Sequence, residues 1–374
     1  MYSYQNDDRI VMTLDAGGTN MVCSAMQNYK EVVAPIRYSS LPTDLEACLN
    51  AIVKGFEEVR SQLPCDPVAI SLGFPGPADY GNGIIGDLPN FPAFRGGVAL
   101  GPMLEEKFGL PVFINNDGWL FALGEAVNGF LPWVNNQLKE RGIGQRYQNL
   151  IGVSLGTGFG GGLIVNGQLC RGDNTVGSGL WLLRSTMNPE MSVEEGASIR
   201  AVKRNYARFA DIDVEMVPSP EEIFKIGIGK QNGDREAARK AFELFGKTVG
   251  DALADVATLI DGLVVIGGGL SGAYELFSPA MIEEMNGVFT APDGDSFSRL
   301  AAEVCDLQKE KGVNDFFNRK YSEIKVPGSG SRVTYNPHNK IGIGITKLGT
   351  SQAIWAGAYH FALSTLDNKT VQNS

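Results

Sequence analysis

The stretch Leu14-Asp15-Ala16-Gly17-Gly18-Thr19-Asn20 narrows what this chain can fold into more than any other. Ile10-Val11-Met12-Thr13 before it reads as a short buried strand, and Met21-Val22-Cys23-Ser24-Ala25-Met26 after it is apolar and β-prone. The unit is a hairpin whose turn carries two glycines, a carboxylate and a hydroxyl. Glycine tolerates positive φ and lets backbone N–H groups come close to an anion. Asp15 could hold a water on a divalent cation, and Thr19 and Asn20 could donate to phosphate oxygens. An ordinary Gly-Gly hairpin turn is the competing reading.

A second copy of the pattern begins at residue 150. Leu150-Ile151-Gly152-Val153-Ser154 is a strand, Leu155-Gly156-Thr157-Gly158-Phe159-Gly160-Gly161-Gly162 a Gly-rich turn, and Leu163-Ile164-Val165 another strand. Two such hairpins suggest a duplicated fold, each half gripping one polyphosphate from its own side of a cleft. A third Gly-rich turn, Gly267-Gly268-Gly269-Leu270-Ser271-Gly272, follows the strand Leu263-Val264-Val265-Ile266.

Between these turns the chain alternates strands and helices, the mark of an α/β fold with a mixed sheet. Residues 9–14, 22–27 and 31–37 read as a three-strand meander, and 42–60 has helical spacing of apolar positions. A strand at 68–73 runs into the rigid turn Phe74-Pro75-Gly76-Pro77, and a helix at 100–108 precedes a strand at 111–114. That strand delivers Asn115-Asn116-Asp117 at its carboxyl end, ahead of a helix over 119–127. Ligands of open α/β sheets bind at this edge, so Asp117 is placed for chemistry; capping the next helix is the alternative. Residues 130–148 read as a linker or insertion. Residues 234–260 form the longest helical pattern, 276–346 alternate helical and polar segments with a flexible loop at 327–331, an amphipathic helix spans 350–366, and 367–374 are expected to fray.

Composition limits the partners. With 374 residues, two domains are expected. A net charge of -10 and no Lys/Arg run disfavour nucleic acid. The five cysteines, Cys23, Cys48, Cys65, Cys170 and Cys305, are widely spaced and include no C-x-x-C, so neither a disulfide framework nor a zinc knuckle is indicated. Two histidines, His338 and His360, leave little room for multi-His chemistry. The polar N-terminus is unlike a signal peptide, and no apolar run reaches ~18 residues. A cytoplasmic protein without membrane attachment is the expectation; a homodimer stays open.

Taken in order, Asp15-x-Gly-Gly-Thr19, Gly73-x-Pro-Gly-Pro77, Asn116-Asp117, Gly156-Thr157-Gly158-x-Gly-Gly-Gly162 and Gly267-Gly268-Gly269 resemble the ROK family of sugar kinases over residues 10–365. The resemblance implies a two-domain actin-like ATPase (ribonuclease H-like) fold, α/β, with a duplicated mixed sheet and an interdomain cleft. A sugar and phosphate domain over 1–129, joined by the helix 350–366, would precede a nucleotide domain over 130–349. It implies ATP and Mg2+, with Asp15, Gly17, Gly18, Thr19 and Asn20 as the first phosphate turn, and Asp15 on the magnesium through water. Gly156, Thr157 and Gly158 would form the second turn, and Gly267, Gly268 and Gly269 the adenosine side. Asn90, in Leu88-Pro89-Asn90, and Asn116 would contact sugar hydroxyls, and Asp117 would be the catalytic base.

This sequence also departs from the family. Where many members carry Gly-Glu-Ile-Gly-His and a Cys-rich zinc motif, it has Gly177-Ser178-Gly179-Leu180-Trp181 and no Cys cluster. Ser178 and Trp181 would then stand at sugar-binding positions, and no structural zinc is expected. Ser192-Val193-Glu194-Glu195-Gly196-Ala197-Ser198 resembles the family's Cys-Leu-Glu-Ala-Tyr-Ala-Ser, making Glu194 the retained sugar carboxylate; a capping box of Ser192 and Glu195 is the alternative. The family includes repressors with an added N-terminal helix-turn-helix; with the first phosphate turn starting at residue 14, no room for one is expected. The expected activity is a glucokinase-like hexose kinase, with fructose, an N-acetylhexosamine or a non-catalytic regulator as alternatives.

Overall fold

The computed structural model describes residues 3–18, 20–88 and 90–372. In chain order the elements are β1 (Val11–Ala16), β2 (Asn20–Gln27), β3 (Lys30–Ser39), α1 (Leu45–Ser61), β4 (Ala69–Gly73), α2 (Leu100–Phe108), β5 (Val112–Asn115), α3 (Asp117–Val127) and α4 (Phe130–Glu140). Then come β6 (Leu150–Leu155), β7 (Phe159–Val165), β8 (Gln168–Leu169), α5 (Ile199–Ala210), α6 (Pro220–Gly227), α7 (Arg235–Ile260), β9 (Leu263–Gly267) and α8 (Tyr274–Met285). The chain ends with β10 (Val288–Thr290), β11 (Ser296–Ser298), β12 (Glu303–Asp306), α9 (Glu310–Phe317), β13 (Ser322–Lys325), β14 (Arg332–Tyr335), β15 (Lys340–Ile345) and α10 (Thr350–Gln372). The chain divides into two compact units: 1–133 with 160–179 and 346–374, and 134–159 with 180–345.

The first unit is built on a five-stranded mixed sheet, order β3-β2-β1-β4-β5. The β1–β2 and β2–β3 pairs are antiparallel; β1–β4 and β4–β5 are parallel. The two-residue period of a strand sorts its side chains to opposite faces. Ile10, Met12 and Leu14 enter one core with Ile52 and Phe56 of α1 and Leu104 of α2. Val11 enters the other, with Trp355, Tyr359 and Leu363 of α10. Helix α10 also crosses α3 at very short range. A Cβ on Gly124 would collide with the Ala353 carbonyl, and one on Gly357 with that of Leu120, so only two glycines permit this approach. Glu125, one residue further along α3, is fully buried. Its carboxylate accepts from the Phe130 N–H (2.7 Å), the Lys347 and Leu348 N–H groups (both 3.2 Å) and the Thr346 hydroxyl.

In the second unit the parallel strands run in the order β12-β15-β9-β6. Helix α7 is its longest element. Asp234 caps its start by accepting the Ala237 N–H at 2.9 Å, and Asp261 ends it in the left-handed conformation (φ 45°). Its buried side combines small residues, Ala237 and Ala241, with the larger Phe242, Phe245 and Val249.

Several expectations change. Residues 130–148 are not a plain linker: α4 occupies 130–140, with Phe130, Leu131, Val134 and Leu138 buried. The chain does not divide cleanly at 129/130, because residues 160–179 pack with the first unit: a Cβ on Gly162 would meet the Gly118 carbonyl and Trp119 Cα at 2.8 Å. Asp15 is a strand residue, paired with Val22 and Gly73, rather than part of the turn. The loop over 327–331 is the turn of the β13–β14 hairpin, closed by Val326 N–H to Ser331 C=O at 3.0 Å. Helix α10 runs on to Gln372, where Asp367 is held by Arg9 (2.7 Å) and the Tyr4 hydroxyl (2.9 Å).

Candidate active site

In the first unit the ends of β1, β4 and β5 bring two carboxylates together. Asp15 pairs in register with Gly73, and a Cβ on Gly73 would lie 3.4 Å from Asp117 Cα. Asn116, with extended backbone, is the N-cap of α3: its amide oxygen accepts the Gly118 and Trp119 N–H groups at 3.0 and 3.3 Å. The cap is therefore Asn116, and Asp117 is the first helical residue. The Asn116 nitrogen donates to the Tyr80 hydroxyl (3.2 Å), which donates to the Phe74 carbonyl (3.0 Å).

Asp15 and Asp117 are both half-buried. Burial pushes the Asp117 carboxyl up to about 6, and the neighbouring charge of Asp15 adds to the rise. Asp15 is also raised by burial, against the Ser351 hydroxyl that donates to its Oδ2 at 2.8 Å and the positive charge of Arg37. The Gly turn is closed by Gly17 N–H to Asn20 C=O at 2.9 Å. Gly18 lies beside Asn90, whose Cβ would be 3.9 Å from a Cβ placed there; Asn20 and Asn90 are exposed. Thr19 and Pro89 lie outside the described residues. Ser178 sits at φ 59° and donates to the Cys170 carbonyl at 2.9 Å.

In the second unit the Gly156-Thr157-Gly158 turn is closed by Gly156 N–H to Gly158 C=O at 3.0 Å. Glu194 lies against this turn. Its Oε2 accepts the Phe159 N–H at 3.0 Å, and a Cβ on Gly158 would strike that oxygen. Arg200 pairs with Glu194 (3.3 Å) and Glu195 (2.8 Å) and donates to the Thr157 carbonyl (3.3 Å). The alternative capping box does not form: Ser192 makes no side-chain cap, and Glu195 faces Arg200 and Arg204. Gly267 ends β9. Gly268, at φ 83°, passes so close to Leu155 that no side chain fits, and Gly269 opens to solvent. Trp181 is 37% exposed, in a short 3-10 turn. Ser178 and Trp181 fall in different units.

Two contacts escaped the sequence. Ser351 reaches Asp15 from the far end of the chain, with no local signal. Arg200 follows Glu194 and Glu195 by six and five residues, a spacing that hints at a pair only once the α5 start is known.

The ROK family model matches residues 11–304. The chain belongs to the ROK family. This ROK protein is 52% identical to a glucokinase from Parabacteroides distasonis whose crystal structure it matches with a TM-score of 0.84, covering 97% of this chain and 99% of that one. It is 29% identical over 280 residues to the N-acetyl-D-glucosamine kinase of Photobacterium profundum, 70% of this chain and 84% of that protein. A ROK family glucokinase from Streptomyces griseus, crystallised with glucose and AMPPNP, matches at 20% identity and TM-score 0.62, covering 93% and 98%. The fold is thus the mixed α/β, actin-like ATPase fold of ROK sugar kinases. Among the described residues no helix is long and apolar enough to cross a membrane.

Proposed function

We propose that the protein is an ATP-dependent hexose kinase that phosphorylates a sugar hydroxyl, with glucose the first candidate. The observation that carries this reading is Asp117: Asn116 takes the capping role, leaving a recessed carboxylate, its pKa raised to about 6, at the carboxyl end of β5. A base poised near the working pH can accept the hydroxyl proton as that oxygen attacks the γ-phosphorus. Asn90 and the second N–H of the Asn116 amide are assigned to sugar hydroxyls, with Ser178, Trp181 and Glu194 as further candidates. Glu194 would act first by shaping the second Gly turn. The Gly17-Gly18-Thr19-Asn20 and Gly156-Thr157-Gly158 turns are assigned to the ATP phosphates, and Gly267, Gly268 and Gly269 to its adenosine side.

Two neighbouring carboxylates whose charged forms are both disfavoured fit a divalent cation, because its charge relieves their repulsion. Asp15 would hold magnesium through water, and the ion would supply charge neutralisation of the phosphates. The glucokinase relative at 52% identity supports glucose; the N-acetyl-D-glucosamine kinase relative keeps an N-acetylhexosamine as the second reading.

ADP release measured with glucose, fructose, N-acetylglucosamine and N-acetylmannosamine decides it. Turnover highest with glucose is expected. Turnover highest with an N-acetylhexosamine selects the second reading. ATP binding without turnover on any sugar overturns both and points to a non-catalytic regulator of the same fold.

A further inference from the structure

The second unit also contains an open cavity of about 800 Å³, away from its Gly turns in sequence and walled by 141–144, the end of α9 and Tyr321. Two guanidinium groups line it. Arg141 donates through Nη1 to the carbonyl and amide oxygens of Gln137 (3.1 and 2.6 Å), and its Cζ lies 4.3 Å from the Phe317 ring centroid. Arg319 donates through Nη2 to the Tyr147 hydroxyl (3.0 Å), and its Cζ lies 5.1 Å from the Phe316 ring. Phe316 and Phe317 meet edge to face with centroids 5.0 Å apart. Two cations are therefore held in place on adjacent rings, before any ligand arrives.

Their charge has no counterpart in the cavity wall, which contains no Asp or Glu. Nε and Nη1 of Arg319 are buried with no hydrogen-bond partner, a costly state for a charged donor. The helix-end carbonyl of Gln137 explains one nitrogen of Arg141; Arg319 makes its bond to a tyrosine instead. An adjoining cavity shares Asn318 and Arg319 and adds Lys320, His338 and Lys340; of its two acids, Glu303 lies 3.8 Å from Lys340. Preset guanidiniums match the oxygens of a phosphate better than any neutral group does. Asn314, Asn318 and Tyr321 supply neutral donors and acceptors of the kind that read hydroxyls. The volume suits a small metabolite.

We propose that this cavity is a second ligand site, outside the candidate active site, for a phosphomonoester of a hydroxylated small molecule. A sugar phosphate and a nucleoside monophosphate share that chemistry.

Calorimetric titration of the full chain, saturated with AMPPNP and glucose, tests it with inorganic phosphate, glucose 6-phosphate and AMP as probes. Binding of at least one probe is expected, weakened at least tenfold by Arg141→Gln and by Arg319→Gln, and unchanged by Asp117→Asn. Tightest binding of glucose 6-phosphate assigns a sugar phosphate, and of AMP a nucleotide. No binding of any probe at millimolar concentration overturns the proposal. So does binding that Arg141→Gln leaves intact, or that Asp117→Asn abolishes. Arg141 is exposed, so its variant keeps the test valid even where Arg319→Gln, stripped of its Tyr147 and Phe316 contacts, does not fold.

Discussion

At Asp117 stability and chemistry pull in opposite directions. A carboxyl raised from its ordinary 3.8 to about 6 favours folding in its protonated form. That contribution is full below about pH 4 and is lost as pH rises through about 6. Asp117→Asn is therefore expected to raise the melting temperature at pH 7.5, by a stability on the order of 2 kcal/mol. The gain shrinks as pH falls from 6 to 4, which thermal melts across that range will show. The same substitution is expected to lower kcat by several orders of magnitude while sugar and ATP binding persist; a near-normal kcat rejects the base assignment. In the wild type, kcat/KM is expected to fall below about pH 6. Because the Asp15 charge contributes to the rise, Asp15→Asn should move that acid limb to lower pH, whatever it does to the rate.

Among the elements, α3 governs the site. It carries Asn116 as cap, Asp117 at its first turn, Gly124 against α10 and the buried Glu125 carboxylate. Glu125→Gln keeps the shape but turns an acceptor into a partial donor facing several N–H groups. We expect a loss of about 3 kcal/mol in urea unfolding; an unchanged midpoint would mean these bonds contribute little. The first unit's strands, α3 and α10 were readable because periodicity and turn chemistry are local. Asp117 stood out as a candidate because it follows β5, at the edge where open α/β sheets bind ligands. What the sequence hid depends on distant partners. Ser351 on Asp15, the Gly124–Gly357 crossing and the pairing of Glu194 with the Phe159 N–H join residues that no spacing rule connects. Helix α4 was missed because Pro132 and the nearby glycines 142 and 144 masked an otherwise amphipathic segment.

For the molecule as a whole, the decisive fact is that the first unit is assembled from three separate stretches of chain. On one face its sheet presents Val11, Val22, Met26 and Ala69 to a cluster whose largest share comes from α10, with Trp355, Ala356, Tyr359, Ala362 and Leu363. A chain ending at residue 349 is expected to expose that face and to be cut within 1–133 by a protease under conditions where the full chain resists; equal resistance would show that α10 is dispensable. The same arrangement governs the timing of synthesis. Strands β1 and β2 are synthesised about 320 residues before the helix that packs on them. At roughly 5–20 residues per second the interval is on the order of half a minute. Throughout that time the apolar residues Val11, Val22, Met26 and Ala69 lack the α10 side chains that bury them in the folded chain.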